Sequence, residues 1–262
     1  MSISNLTEET AVLIDAYTRF RRAHEGDCEQ RNLAPYNQVS FPTKIPMHLA
    51  MFRDMAREFL RELANELNRF DRHIQQLSIW SDIYPSYDVD EQMSLMMEFI
   101  EPLATIAFGQ PATLRGRFIY CMSHTSHQAN LFAVESWNES RLPRDEAIKF
   151  KDMRNCSDYW SQFQNFMMAF RDLDDEAWKD SSKGFRNKYH HRIPPRFEVG
   201  HTQFVTREFE SAGKVSYGFG FCEPLPLKDY IGLLRGQHSV AMSCFDSYSN
   251  MLREQWAAIN YC

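Results

Sequence analysis

No apolar run in this chain of 262 residues approaches the ~18 residues that a bilayer-crossing helix needs. The opening residues, MSISNLTEET, have neither the basic start nor the apolar stretch of a secretory leader. A cytoplasmic protein with no membrane partner is therefore expected. Excess positive charge is also missing. The net charge is −6 and the isoelectric point about 5.9, which argues against sequence-blind coating of nucleic acid but leaves room for a local basic cleft. The six cysteines (28, 121, 156, 222, 244 and 262) form no CxxC pair. In a reducing compartment they read as free thiols rather than a disulfide framework. A Gly-rich phosphate loop, GxSxG and HExxH are all absent, so P-loop hydrolysis, serine hydrolysis and zincin chemistry are unsupported. There is no internal repeat and no low-complexity tract.

What is present is helical periodicity. Hydrophobic residues make up 44% of the chain and aromatics 14%, enough for a sizeable core. Residues 6–25 read as a helix with Leu13, Ala16, Tyr17 and Phe20 on one side and Asn5 or Thr7 as its cap. Residues 26–45 read as a linker. From Pro46, Leu49, Phe52, Ala56, Leu60, Leu63, Leu67, Phe70, Ile74 and Leu77 recur at steps of three and four, a stripe about four heptads long that needs long partner helices. Tyr84-Pro85-Ser86-Tyr87 ends it, and Asp88 or Asp90 caps the next helix. That helix has the stripe Met93, Met96, Met97, Ile100, Leu103, Ala104 and Ala107, with a kink expected at Pro102 and a break at Gly109-Gln110-Pro111. Further helices are expected over 112–137 (Leu114, Phe118, Cys121, Thr125, Gln128, Phe132) and from Asp145 to about 179 (Met153, Cys156, Trp160, Phe163, Met167, Phe170). After Pro194-Pro195 the pattern turns β-prone. Phe197–Val199, Gln203–Phe209 and Val215–Phe221 flank a turn at Ser211–Lys214 and predict a β-hairpin inserted over 195–224. A last helix runs from about 227 to 259. The expected fold is mostly α, a bundle of five to six helices with one hairpin before the C-terminal helix. It forms a single domain over 1–262, with 1–45 an N-terminal helix and linker.

The densest chemistry lies in Gly184-Phe185-Arg186-Asn187-Lys188-Tyr189-His190-His191-Arg192-Ile193-Pro194-Pro195. Histidine exchanges protons near neutrality. Arginine keeps its charge and offers paired donors to phosphate oxygens. Together they suit metal-independent cleavage of RNA, in which the 2′-hydroxyl proton must move and a charged phosphorane must be stabilised. Asn187 would orient either group or bond phosphate or ribose. Lys188, His190 and Arg192 would hold the substrate backbone, and Tyr189 or Phe185 would stack on a base. One constraint is geometric. Positions five apart on a helix differ by about 140°, so Arg186 and His191 would not share a face. A helix end inside the motif, or a second copy of the motif, would bring them together. His190, four from Arg186, is the alternative base. The bland alternative is a basic helix C-terminus complementing the helix dipole before a proline stop.

Arg186, Asn187 and His191, an arginine, a polar residue and a histidine five places on, set among long helices, resemble the motif of the HEPN superfamily. The resemblance implies an all-helical fold and metal-independent endoribonuclease activity. In it Arg186 sits on the phosphate, His191 is the acid/base and Asn187 gives support, and the products carry 2′,3′-cyclic phosphate and 5′-hydroxyl ends. It also implies a homodimer with motifs facing each other, no cofactor, and a place in toxin–antitoxin or antiviral defence with an antitoxin or activator protein as partner. Family members also include non-catalytic modules that bind a nucleotide, nucleic acid or protein. Where one branch carries a tyrosine two places after the motif histidine, modified by a partner nucleotidyltransferase, this chain has Ile193, which puts that control in doubt.

Three weaker constellations stand beside it. Cys121, His124 and His127 fall on one helical face with zinc-like ligand types, Cys156 or His238 being a conceivable fourth ligand; a core cysteine with surface histidines is the competing account. Arg115-Gly116-Arg117 with Arg141 and Arg144 would widen a basic groove, or are solvated helix ends. Asp172, Asp174, Asp175 and Glu176 lack the glycine and spacing of a calcium loop and read as a solvated face.

Overall fold

The computed structural model describes residues 8–26, 31–209 and 215–260. Its elements in order are α1 (Glu8–Gly26), α2 (Ala50–Ile83), α3 (Val89–Leu95), α4 (Glu101–Ala133), α5 (Phe150–Ser157), α6 (Phe163–Phe170), α7 (Glu176–Ser181), α8 (Phe185–His191), β1 (Val205–Phe209), β2 (Val215–Phe219) and α9 (Leu227–Ile259). The mostly α character and the hairpin before the C-terminal helix hold. The caps sought at Asn5 and Thr7 and the turn at Ser211–Lys214 lie outside the described residues.

α2 is the longest helix, about 50 Å at 1.5 Å per residue. Every member of its expected stripe, from Leu49 to Leu77, is buried. α3 starts where Asp88 accepts from the backbone of Asp90 and Glu91 while Glu91 reaches back to the backbone of Asp88, a complete capping box. The irregularity expected at Pro102 is a π-helical turn, Met96–Ile100. Pro102 has no N–H to give the carbonyl four residues back, and the wider turn absorbs that loss.

Several expectations need correction. The break at Gly109-Gln110-Pro111 does not occur: α4 runs straight through, with Pro111 inside it. A mid-helix proline costs about 3 kcal/mol. Phe108, Leu114 and Phe118 are almost completely buried, at about 1.5–3 kcal/mol each, and so outweigh it. The same helix stops at Ala133, short of 137. The single helix from Asp145 to 179 is instead a 3₁₀ turn (Asp145–Ala147) followed by α5, α6 and α7, which with α8 brings the helices to nine among the described residues. The break before α6 has a long-range cause. The Glu254 carboxylate of α9 accepts from the backbone N–H of Ser161 (2.8 Å) and Gln162 (2.9 Å) and so caps α6. The α6–α7 break centres on Asp174 at φ 50°, whose N–H donates to Gln237 Oε1. In the stripe expected over 93–107, Met96, Ile100, Ala104 and Ala107 are buried as expected, but Met93 and Met97 are exposed and Leu95 and Phe108 are buried beside them; in α1, Tyr17 is exposed.

The chain divides into two compact units: 1–31, 72–109 and 176–235 in the first, 32–71, 110–175 and 236–262 in the second. In the first, a ladder of rings joins α1 to the end of α2 and to the π turn, Phe20–Trp80 (4.8 Å), Trp80–Phe99 (5.0 Å) and Tyr17–Phe99 (6.0 Å), and α1 also packs on α3. A second cluster gathers on Phe108, with Phe197 at 5.1 Å, Phe185 at 5.2 Å, Tyr230 at 5.3 Å and Trp178 at 5.7 Å. In the second unit, Phe118, Phe163, Phe166 and Phe170 form the aromatic core. A buried polar chain crosses it: Trp160 Nε1 donates to Asn130 Oδ1, Asn130 Nδ2 to the Cys156 carbonyl, and Gln255 Nε2 to Ser126, which pairs with Ser157.

The hairpin pairs β1 and β2 antiparallel, with Val205 opposite Phe219 and Phe209 opposite Val215. Bridges Phe197↔Leu225 and Thr202↔Cys222 close its root.

Candidate functional site

α8 carries the whole Arg186–His191 motif within seven residues. Two successive left-handed residues, Lys183 (φ 52°) and Gly184 (φ 63°), reverse the chain after α7. Gly184, without a Cβ, takes that conformation freely, and its N–H donates to the Lys179 carbonyl at 2.7 Å. Phe185 then starts α8 and plunges into the Phe108 cluster, 2% exposed. At the other end Arg192 is extended, and Pro194 and Pro195 forbid more helix.

Phe185 fixes the rotation of α8. Taking it as zero at 100° per residue, Tyr189 lies at about 40°, Arg186 at about 100°, His190 at about 140°, Asn187 at about 200°, His191 at about 240° and Lys188 at about 300°. Exposure largely agrees: Arg186, Asn187, His190, His191 and Arg192 are exposed and Lys188 is half-buried. Arg186 and His190 therefore share one flank, Asn187 and His191 the other. α8 begins one residue before Arg186 and ends at His191, so no helix end falls between them, and the idea that one would is corrected. Within one chain Arg186 and His191 diverge. Phe185 is withdrawn from solvent and cannot stack on a base. Tyr189, stacked over Phe185 at 5.9 Å and 50% exposed, can.

The electrostatics favour an anion. From Ser181 to Phe197 there are five Lys or Arg and no Asp or Glu, in a chain of net charge −6. Arg196 is occupied by Glu101 at 2.9 Å, and Lys183 donates to the Glu223 carbonyl. Arg186, Asn187, Lys188, His190, His191 and Arg192 make no side-chain hydrogen bond or ion pair among the described residues. The segment leaving α8 is held to the hairpin root: Gln203 Nε2 donates to the Ile193 carbonyl (3.1 Å) and Thr202 Oγ1 to that of Pro194 (3.3 Å). Glu198, just beyond, accepts from the Leu227 N–H at 2.6 Å and so caps α9; burial pushes its carboxyl above the ordinary range.

The weaker constellations are structural. His127 accepts from Trp137 Nε1 on Nδ1 (2.9 Å), so its Nε2 carries the proton and donates to Glu139 (3.0 Å); both nitrogens are committed. His124 Nε2 sits 3.3 Å from Asp145, and burial pushes its imidazole down, with Asp145 opposing. The Cys121 thiol is buried and raised, and that of Cys156 is pushed up to about 12 by burial. His238 is buried against the edge of Phe70. Among the described residues no group of three His, Cys, Asp or Glu is placed to hold a metal ion. Arg115 donates to the carbonyls of Phe170 (2.9 Å) and Leu173 (2.6 Å) and lies over the Phe170 ring, closing the C-terminus of α6. Arg117 meets the buried Glu66 at 3.0 Å. Arg141 lies over Trp137, 5.8 Å from the ring centre, and Arg144 is exposed. The backbone carbonyl of Asp172 accepts from Gln237, and Asp174 forms the turn before α7.

One feature escaped the sequence. The alternation in 215–221 marked a strand, but which side would face water was not readable, and the structure turns the large side chains outward. Compared with family models, with curated proteins and with solved structures, the chain matches none.

Proposed function

We infer that the protein is a metal-independent endoribonuclease whose cleft is completed by two copies of α8. The observation that carries this is the exposed set of Arg186, Asn187, His190, His191 and Arg192 on an acid-free stretch of an acidic chain. A guanidinium and an imidazole with no competing partners suit phosphate charge and proton transfer respectively. The 140° divergence supports the two-copy form: Arg186 of one chain works with His191 of another, and Asn187 and Lys188 steady the backbone. The products are 2′,3′-cyclic phosphate and 5′-hydroxyl ends, and a role as a toxin or antiviral effector held by an antitoxin or activator follows from the HEPN resemblance. The same divergence favours a second reading, a non-catalytic module that uses this face to bind a nucleotide, nucleic acid or protein.

RNA cleavage in EDTA by wild type, Arg186→Ala and His191→Ala separates them. Loss of cleavage in both variants with native melting supports the enzyme. Activity surviving both substitutions removes the site assignment, and a wild type inert on RNA leaves the binding module.

A further inference from the structure

The hairpin is built inside out. In a ribbon lying on a protein, apolar side chains ordinarily face the core and small or polar ones face water. Here Thr206, Ser216 and Gly218 are half-buried, while Val205, Arg207, Val215, Tyr217 and Phe219 are exposed. Cross-strand pairing puts Val205 opposite Phe219 and Arg207 opposite Tyr217, so they share one surface. Phe219 is 91% exposed and Tyr217 65%; Phe204 (62%) and Phe221 (57%) add rings near the root. Rings this exposed contribute almost nothing to folding, and among the described residues no third strand pairs with the ribbon.

We propose that this outward face binds single-stranded RNA, Tyr217 and Phe219 each stacking on an unpaired base while the cations of α8 engage the phosphates. The proposal rests on the ribonucleolytic reading of α8 and names its substrate class. Three observations lead to it. The ribbon root is hydrogen-bonded to the chain leaving α8, through Gln203 to Ile193 and Thr202 to Pro194, so the ribbon that bears the rings is rooted beside the stretch of chain that bears the cations. That stretch carries positive charge without acid between Ser181 and Phe197, and a nucleic acid strand supplies both an anion and a flat ring at every residue. Tyr217 and Phe219 stand two residues apart on a strand, about 6.8 Å at ~3.4 Å per residue. That is twice the 3.4 Å rise of stacked bases, so each ring takes a base of its own from an unstacked strand. A duplex keeps its base faces hidden within its own stack.

The test uses the full chain and fluorescent 2′-O-methyl RNA, which lacks the hydroxyl nucleophile and is not cut. Anisotropy is read for a mixed-sequence single strand and for a duplex of equal length. Wild type is expected to bind the single strand about tenfold more tightly than the duplex. Tyr217→Ala/Phe219→Ala is expected to weaken single-strand binding about tenfold or more while leaving duplex binding and the melting temperature unchanged. Unchanged single-strand affinity in the double variant overturns the proposal. So does a double variant whose solution mass falls from dimer to monomer, which would mean a second copy covers the face. So does one that loses flotation with phosphatidylserine vesicles, which would mean a lipid surface does. A protein that binds as expected yet leaves unmodified RNA intact keeps this assignment and loses the cleavage reading; one that cuts RNA but ignores the hairpin substitutions does the reverse.

Discussion

Mixing two inactive variants tests the two-copy cleft most directly. On α8, Arg186 and His191 are separated by about 7.5 Å of helical rise and about 140° of rotation. Rotating α8 as a body leaves that angle unchanged, and unwinding it at its start would pull the adjacent Phe185 ring out of its cluster. On the proposed reading the pair acts between chains. In a two-fold dimer each contact occurs twice, Arg186 of either copy with His191 of the other. Arg186→Ala and His191→Ala homodimers would each lack one member of both pairs and are expected to be inactive. When equal amounts are mixed and allowed to exchange, about half the dimers are mixed, and each mixed dimer holds one complete pair out of two. Recovery of about a quarter of wild-type activity is expected. The assay is the rate of cyclic-phosphate formation on a single-stranded RNA in EDTA, with dimer exchange followed by mass. No recovery in a mixture shown to contain mixed dimers would refute the argument and return the pair to a single chain.

Further expectations come from the scaffold. Phe185→Ala empties the socket formed by Phe108, Phe197 and Tyr189 and should cost about 3 kcal/mol in urea denaturation; a loss under ~1 kcal/mol would mean α8 is held by something else. Glu254→Ala strips two N–H groups at the start of α6. Water reaches that end, so the loss should be about 1 kcal/mol, with hydrogen exchange quickening at Ser161 and Gln162. Burial pushes the His238 imidazole below its ordinary value of 6.5, with Asp71 and the Leu67 backbone opposing. Below 6.5 the unfolded chain binds a proton that the native chain refuses, so stability falls as the pH drops through that value and below it, and is level above. His238→Phe should flatten this acid limb, and adding His124→Phe should flatten it further; an unchanged slope in the double variant refutes the assignment.

Much of the scaffold was legible because it is repetitive. The α2 stripe and the bounds of α9 follow from side-chain spacing alone, since long helices sum many small preferences in one direction. What the spacing hid was contributed from far along the chain. The break before α6 is made by Glu254, more than ninety residues later. Pro111 sits inside α4 because burial on either side of it outweighs its own preference. At the site, the residue types were readable and the divergence of Arg186 from His191 could be counted. The role of Phe185 as an anchor could not, because an aromatic beside an arginine looks the same in sequence whether it faces water or the core. The outward turn of the hairpin was invisible for a similar reason: alternation defines two faces without saying which is wet.

The closed root of the hairpin bears on how this protein diversifies. Phe197↔Leu225 and Thr202↔Cys222 hold the entering and leaving strands side by side. Whatever lies between them is a cartridge plugged into one socket. Lengthening such a loop adds only about 0.6 kcal/mol of closure entropy per doubling, and the exposed rings anchor nothing inside. Selection is thus free to exchange the ribbon's tip and outer face without renegotiating α8, α9 or the aromatic cluster beneath them. Grafting a foreign ribbon between Thr202 and Cys222 offers an engineer the same liberty.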